Sequence, residues 1–525
     1  MRLIKLLARS SQLMLLHMSF LLIALGGVTT WLTARESRVA LAPGMPIERY
    51  GVSIELLRFQ TEYYPGGDVP RDYVSYLLVN GAEMTVSVNR PLAVGGCRIY
   101  QQGYTPDGCS IVSIRKDASG TALIFTGFAL FFIGGLLSLF RRKRGVAVAI
   151  VVALFSSLTV SASDLPTVSE AEADSLARTQ VVYRGRVTTF STVAHDFMKK
   201  VHGEKYFCGL SAERAVASIW KFPEQWSDAT MIQVGAEYRS FAEFFDERGR
   251  YLAPGDASVD ERVGLMLLLR SNQLFSEPGE ADARLSAAQV EGEIVYNTLP
   301  LTLIAFVLLF IAAVTAFFAS KWGRIVGWVA FSFQLTVILF ESWLSGRGPF
   351  ASMFETLQFL AAAVALISLL IRGLRGVGLL VSGCMALVAH LQAMNPIVTP
   401  LMPVLHSPWL SLHVSLVMTS YAIFVVVAIL ALQRSGGYNR CRQLLRVAVY
   451  LLGLGICTGA VWANESWGRY WGWDPKETWA LITFLIYCVP LHMRRPSRWW
   501  YVVPLLSVAM TYFGVNYMQS LHSYG

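Results

Sequence analysis

Charge is scarce in this chain of 525 residues: 15% are Asp, Glu, Lys or Arg, where a soluble protein carries about 25%. With 54% hydrophobic residues, a polytopic membrane protein is the default. The seven cysteines form no CxxC and show no metal-ligand spacing, so thiols build no metal or redox centre. No P-loop, HExxH or Ser-His-Asp arrangement is present, and nothing supports ATP-driven or hydrolytic chemistry.

Long apolar runs are plentiful. A span needs about 20 residues, and eleven runs qualify, near 12–34, 121–140, 145–163, 297–319, 323–344, 352–371, 376–394, 411–433, 443–463, 477–493 and 499–518. Lys and Arg cluster at alternate junctions: Arg2, Lys5 and Arg9; Arg141 to Arg144; Lys321 and Arg324; Arg372 and Arg375; Arg434, Arg440, Arg442 and Arg446; Arg494, Arg495 and Arg498. With eleven spans all of these fall on one side, which the positive-inside rule makes cytoplasmic. The reading is an α-helical membrane protein with its amino terminus inside and carboxyl terminus outside. The net charge of +9 then reflects topology and calls for no nucleic acid.

Two large segments lie outside. Segment 35–120 alternates apolar and polar residues over Tyr73–Val79 and Glu83–Val88, with turns at Asn80-Gly81 and Pro106-Asp107-Gly108, and predicts a small antiparallel β domain. Cys97 and Cys109 fall on adjacent predicted strands there, which leaves a disulfide open. Segment 164–296 is polar, with helical runs around Thr192–His202, Ala212–Trp220 and Arg262–Leu269, and predicts a mixed, mainly helical domain without a catalytic constellation. Between them, 141–163 has the form of a signal sequence and reads as an anchor at a fusion joint.

The richest stretch is 467–479, Trp-Gly-Arg-Tyr-Trp-Gly-Trp-Asp-Pro-Lys-Glu-Thr-Trp, with four tryptophans and a tyrosine. An interfacial aromatic belt needs only scattered rings. The Asp-Pro-Lys-Glu insert and the glycines between the rings favour a platform for a planar ligand. Four of the eight histidines sort by depth: His17 and His492 near the cytoplasmic ends of their spans, His413 and His522 near the external face, flanking the aromatic block. Paired imidazoles on different helices are what a bis-histidine haem requires. A lone intramembrane histidine is more often a packing residue, although ionisable groups at that depth are functional candidates by default.

The block, continued by Ala480-Leu481-Ile482-Thr483, resembles the WWD motif of the haem-handling superfamily that holds CcsA/ResC, CcmC and CcmF. The resemblance to CcsA/ResC runs from about 297, including Gly346-Arg347-Gly348-Pro349 and Met353-Phe354-Glu355. Val88–Leu92, Tyr100–Tyr104 and Val112–Asp117 resemble the end of CcsB/ResB. The chain therefore resembles a shortened, fused system II cytochrome c synthase: 1–140 a truncated CcsB/ResB-like part, 141–163 the joint, 164–296 a soluble domain and 297–525 the haem-handling domain. The resemblance implies haem b as transported substrate, with His17 and His492 as a membrane pair of iron ligands and His413 and His522 as an external pair. It further implies packing of the macrocycle by Trp467, Tyr470, Trp471, Trp473, Asp474 and Trp479. The implied reaction attaches haem to the CxxCH motif of apocytochrome c outside the cytoplasmic membrane of a bacterium. Implied partners are apocytochrome c, thiol-reducing thioredoxin-like proteins and a separate CcsB/ResB-type protein that compensates for the short half. A haem exporter without ligase activity, a system I haem-handling subunit and a scaffold without haem stay open. His195, His202, His390 and His406 match no element of the family pattern.

Overall fold

The computed structural model describes residues 2–66, 69–116, 120–139, 165–371, 373–391, 397–433 and 437–518. The proposed joint at 141–163 and His522 lie outside the described residues.

Helix α1 (Arg2–Thr33) leads into β1 (Arg35–Leu41), β2 (Ile47–Arg49), β3 (Val52–Tyr63), β4 (Pro70–Val79), β5 (Ala82–Ser87), β6 (Leu92–Val94), β7 (Cys97–Tyr104) and β8 (Ser110–Lys116), and then into α2 (Gly120–Leu139). The strands form two antiparallel sheets, ordered β1-β8-β7-β6 and β2-β3-β4-β5. Asn80 and Gly81 both adopt positive φ, which gives the two-residue β4–β5 hairpin a turn that matches strand twist. Leu41, Ile54, Leu56, Leu77, Ile99, Val112 and Ile114 close the space between the sheets. Cys97 opens β7 and Cys109 precedes β8, while the register sets Arg98 opposite Arg115 and Tyr104 opposite Ser110. The two thiols thus sit at opposite ends of the strand pair and are free, too far apart for the disulfide left open above.

The second domain runs through α3 (Glu170–Ala177), β9 (Gln180–Tyr183), β10 (Arg186–Thr189), α4 (Phe190–Val201), α5 (Ala212–Lys221), β11 (Thr230–Val234), β12 (Glu237–Ser240), α6 (Ala257–Arg270) and α7 (Ala287–Thr298). Its core gathers Phe190, Phe197, Met198, Ile219, Trp226 and Met266. A buried carboxylate ties its last helix down. Glu293 on α7 is ion-paired with Arg186 and accepts hydrogen bonds from the Thr188 hydroxyl (2.6 Å), the Thr189 amide (2.9 Å) and hydroxyl (3.0 Å) and the Thr192 hydroxyl (3.1 Å). A buried charge with this many partners is stable where an unpaired one is not.

The remainder is a helix bundle: α8 (Leu301–Phe318), α9 (Ser320–Ser345), α10 (Met353–Leu370), α11 (Arg375–Leu391), α12 (Pro408–Leu432), α13 (Tyr438–Trp467), α14 (Pro475–His492), α15 (Trp499–Val502) and α16 (Leu505–Tyr512). Among the described residues six helices are long and apolar enough to cross a membrane: Met14–Thr33, Leu301–Phe318, Lys321–Ser345, Met353–Leu370, Pro408–Leu432 and Tyr438–Trp467. Helix α14 carries Lys476 and Glu477 in its first turn and a proline, Pro490, near its end, so its apolar stretch is short. The apolar run 499–518 is not one helix. It breaks at Pro504, which lacks an amide hydrogen, and ends in a 3-10 turn at Gly514–Tyr517.

Helices α1 and α2 form a hairpin that docks on the bundle through a glycine. A Cβ on Gly135 would lie 1.5 Å from the Tyr450 ring, so only glycine admits α13 this closely. The Tyr450 hydroxyl also donates to the Phe132 carbonyl at 3.0 Å.

The strand register makes a direct prediction. Denatured without reductant, the full chain should alkylate at both Cys97 and Cys109, and its electrophoretic mobility should not respond to thiols. Protection of both cysteines until reduction would refute the register.

Candidate functional site

The aromatic block is a turn built by its own capping groups. Helix α13 ends at Gly468, whose left-handed φ of 74° closes the helix. Helix α14 begins with Asp474 as N-cap, Pro475 in its first turn, and Glu477 returning a bond in a capping box. The Glu477 carboxylate also accepts from the Gly472 amide at 2.8 Å. The Asp-Pro-Lys-Glu insert therefore folds the block back on itself and fixes where its rings stand. Trp473, at φ 57°, holds a backbone conformation that a bulky residue rarely adopts.

Beneath this turn is a cavity of about 660 Å³. His413, Val417 and Tyr421 of α12, Gly459 and Trp462 of α13, and Tyr470, Trp471, Lys476 and Glu477 of the block line it, together with Met353, Tyr512 and Asn516. The volume and the mix of apolar walls with a few polar groups suit a cofactor-sized ligand. The Nδ1 of His413 lies 2.7 Å from the Gly455 carbonyl, so it carries the proton and leaves the lone pair on Nε2, the arrangement of a metal-ligating imidazole. A Cβ at Gly459 would come within 2.6 Å of that ring.

The roof of the cavity is the segment 397–407, with Thr399, Pro400, Leu401, Met402 and Leu405 in its lining. Apart from a 3-10 turn at Pro403–Leu405 it has no regular structure. Five side chains donate to its carbonyls. Arg186 of the second domain donates to Val398 at 3.2 Å, and Arg347 to Thr399 at 3.4 Å. Tyr64 of the β domain donates to Leu401 at 3.0 Å, and Trp462 to Val404 at 3.3 Å. Asn89 donates to Pro403 and Val404 at 3.1 Å and to His406 at 3.2 Å, while its own carbonyl takes the Ser466 hydroxyl at 2.5 Å. Arg347 is itself anchored by two 2.9 Å bonds to Glu355.

The named histidines separate into two levels. At a rise of about 1.5 Å per residue, His413 sits roughly 8 Å from the amino end of α12, whereas His17 and His492 sit roughly 24–26 Å from the carboxyl end of α1 and the amino end of α14. His17 and His492 come together there: their ring centroids are 6.0 Å apart and their planes 89° from parallel. Both are exposed on the outside of the bundle. Phe20 bridges Phe131 at 5.3 Å and Phe484 at 5.5 Å, one turn above them.

Not every residue of the aromatic block lines the cavity. Tyr470 and Trp471 do; Trp467 packs on Trp462 at 4.9 Å, Trp473 is 71% exposed with its edge on Trp471, and Asp474 and Trp479 are absent from the lining. His406 faces the Tyr64 hydroxyl in the roof, His390 meets Thr302 at 2.9 Å, His195 pairs with Glu213 at 3.0 Å and His202 with the Met231 carbonyl at 3.0 Å. Sequence reasoning missed Asn89, Tyr64, Arg186 and the roof itself. The prolines at 396, 400, 403 and 408 were the available signal, because such spacing forbids both helix and ladder.

Comparisons with known proteins agree with this architecture. Residues 293–522 match the cytochrome C assembly protein family, and residues 14–116 the ResB-like family. A cytochrome c biogenesis protein CcsA from Synechococcus sp. is 33% identical over 290 residues, 42% of this chain and 94% of that protein. A CcsA from Guillardia theta is 30% identical, covering 36% of this chain and 81% of the relative. Protein NrfI of Wolinella succinogenes is 26% identical over 94% of this chain and 73% of its own length. The chain belongs to the cytochrome c assembly family. It joins a ResB-like region and a CcsA domain in one polypeptide, the fused system II arrangement, and works in cytochrome c biogenesis through the handling of haem.

Replacing Asn89 with Leu should loosen the roof. It removes an amide whose two N–H groups serve three partly exposed carbonyls, of which Val404 keeps Trp462, a loss on the order of 1 kcal/mol per hydrogen bond. Hydrogen exchange over 397–407 should rise by at least ten-fold while α12 and α13 stay protected. Unchanged exchange would show that Asn89 is not the clamp.

Proposed function

We propose that the chain carries haem outward across the membrane and attaches it to apocytochrome c. The observation that supports this most directly is the pairing of His17 with His492. An imidazole nitrogen bonds a metal at about 2 Å and its ring centre lies ~1 Å further, so two axial rings on one iron stand roughly 6 Å apart. The spacing here is 6.0 Å, between helices far apart in sequence. These rings form the inner ligand pair. His413 in the outer cavity and His522 form the second pair, with Tyr470 and Trp471 against the macrocycle and Trp467, Trp473, Asp474 and Trp479 shaping and holding the block. Eleven spans, with the amino terminus in the cytoplasm, place the inner pair near the cytoplasmic face and the cavity outside a bacterial inner membrane.

The cargo is haem b. In the outer cavity the protein holds the iron and keeps the vinyl groups in place, and the unfolded CxxCH segment supplies the nucleophiles. Each cysteine S–H adds across one vinyl C=C: sulfur bonds the carbon next to the ring, hydrogen ends on the terminal carbon, and two thioethers result without net oxidation. Positioning accounts for the acceleration, since fixing two reactants replaces a bimolecular encounter. The thiols must arrive reduced, which calls for a thioredoxin-like partner. The ResB-like region supplies Tyr64 and Asn89 to the roof, and a separate ResB-type partner is a further candidate.

The purified full chain in detergent should show a Soret band with sharp α and β bands after dithionite reduction. His413→Ala should weaken the outer haem signal and abolish covalent cytochrome c formation, while His492→Ala should remove the inner haem. Haem loss in the variants with cytochrome c still formed would reject the ligation scheme. Haem present without any thioether product would favour an exporter, and no haem in any preparation would favour a scaffold.

A further inference from the structure

Tyr470 stands between the outer cavity and a second hollow of about 320 Å³. That hollow lies over one face of the sheet β1-β8-β7-β6. Ala93 of β6, Arg98 of β7 and Arg115 of β8 are register partners, so their side chains leave the sheet on the same face, and all three line the hollow. Asn464 of α13 and Tyr470 bound it from the haem-handling domain. The charges here are answered: Arg115 bonds the Gly468 carbonyl, and Glu465 lies within electrostatic range of Arg98. An anion is therefore not what the hollow is built for.

Its uncommitted polar groups are neutral. Asn464 is only 6% exposed, and its side-chain amide makes no hydrogen bond among the described residues. Buried amides are nearly always hydrogen-bonded, and a carboxamide both donates and accepts. On the wall of a hollow it calls for a ligand that supplies both kinds of group. The second source is β6, the edge strand of its sheet. Gly95 and Gly96, both at positive φ, close β6 on β7 in a two-residue turn with Val94 opposite Cys97. Bonding alternates from that closing pair, so Ala93 and Arg98 form a non-bonded pair and the Ala93 N–H and C=O point away from β7. Ala93 is exposed, and none of the described backbone hydrogen bonds takes these two groups. An extended polypeptide offers a donor and an acceptor at every residue, which matches both.

We propose that the hollow behind Tyr470 is a polypeptide subsite, in which the Asn464 amide and the Ala93 main chain hold the extended segment of apocytochrome c that adjoins its CxxCH motif. This rests on the reading of the outer cavity as the haem site. The unfolded chain passes along one side of Tyr470 while the macrocycle lies against the other, so docking delivers CxxCH to the edge of the cavity. Strand addition at a sheet edge draws its affinity from main-chain bonds and leaves the side chains outside CxxCH unread. The ResB-like region thereby contributes to substrate binding as well as to the roof.

The test uses the full chain in detergent and two fluorescent peptides that carry Ser-x-x-Ser-His in place of CxxCH, so that anisotropy reads binding without thioether chemistry. One has an ordinary backbone. The other bears N-methyl groups at alternate residues of the flanking segment and keeps every side chain. The parent should bind the unmethylated peptide on the order of ten-fold more tightly, the scale of one or two hydrogen bonds. Asn464→Leu and Ala93→Pro should each lower its affinity by a similar factor while keeping the parent's reduced haem spectrum. Proline is tolerated on an edge strand whose N–H faces outward. Equal binding of the two peptides by the parent overturns the subsite and leaves the haem reading intact. So does equal binding of the unmethylated peptide by the parent and both variants. Loss of the haem spectrum together with peptide binding in both variants assigns the effect to the outer cavity and also overturns the subsite. A parent that separates the two peptides as expected but shows no haem overturns the haem reading alone.

Discussion

A strip of irregular backbone at the end of a helix bundle is the constraint around which this protein is arranged. Inside a helix each carbonyl finds its partner locally; in 397–407, with prolines at 400 and 403, it cannot. Non-helical backbone at the edge of a membrane is tolerated only where protein or a polar cavity satisfies it. Here six carbonyls, of Val398, Thr399, Leu401, Pro403, Val404 and His406, receive side-chain donors. The donors come from the β domain, the second domain and the bundle. A cavity roof made this way is specific in shape and exists only when all three units are assembled, which gives a physical reason for carrying them in one chain.

The same assembly sets the lower level. Nothing local brings His17 to His492. Gly135 lets the α1–α2 hairpin close on Tyr450, and Phe20 fills the space between Phe131 and Phe484. The hairpin that enters and leaves the β domain is thus also the element that brings His17 to His492.

Local features were legible in the sequence and long-range ones were not. Asn80-Gly81 announced its hairpin, and Asp474-Pro475-Lys476-Glu477 follows capping rules that need no tertiary knowledge. The span boundaries put His17 and His492 far along their helices, but their approach to 6.0 Å depends on the packing of distant helices, which no periodicity encodes. The division of labour among the tryptophans was equally hidden. Spacing treats the block as one aromatic strip, whereas the tight turn between Gly468 and Asp474 sends Trp471 inward and Trp473 outward. The final apolar run read as one span because hydropathy does not register that Pro504 breaks the helix. The disulfide left open between Cys97 and Cys109 failed for a related reason: adjacency of strands does not say which ends meet.

The shortness of the ResB-like half bears on what that half is for. Its hydrogen bonds to the haem-handling domain include those of Tyr64, Asn89 and Arg115 on the β sandwich and of the Phe132 carbonyl on α2. The sandwich contacts lie within the matched region 14–116. Two of them grip the roof and one grips Gly468, where the aromatic block begins. A domain that worked by extending the membrane bundle would need many helices; one that works by finishing the polar surface of a cavity needs a rigid sandwich and a few well-placed donors. Each of these donors meets a backbone carbonyl, so a small sandwich can influence the shape of the cavity through a few hydrogen bonds, while the same half carries His17 on α1 at the other level.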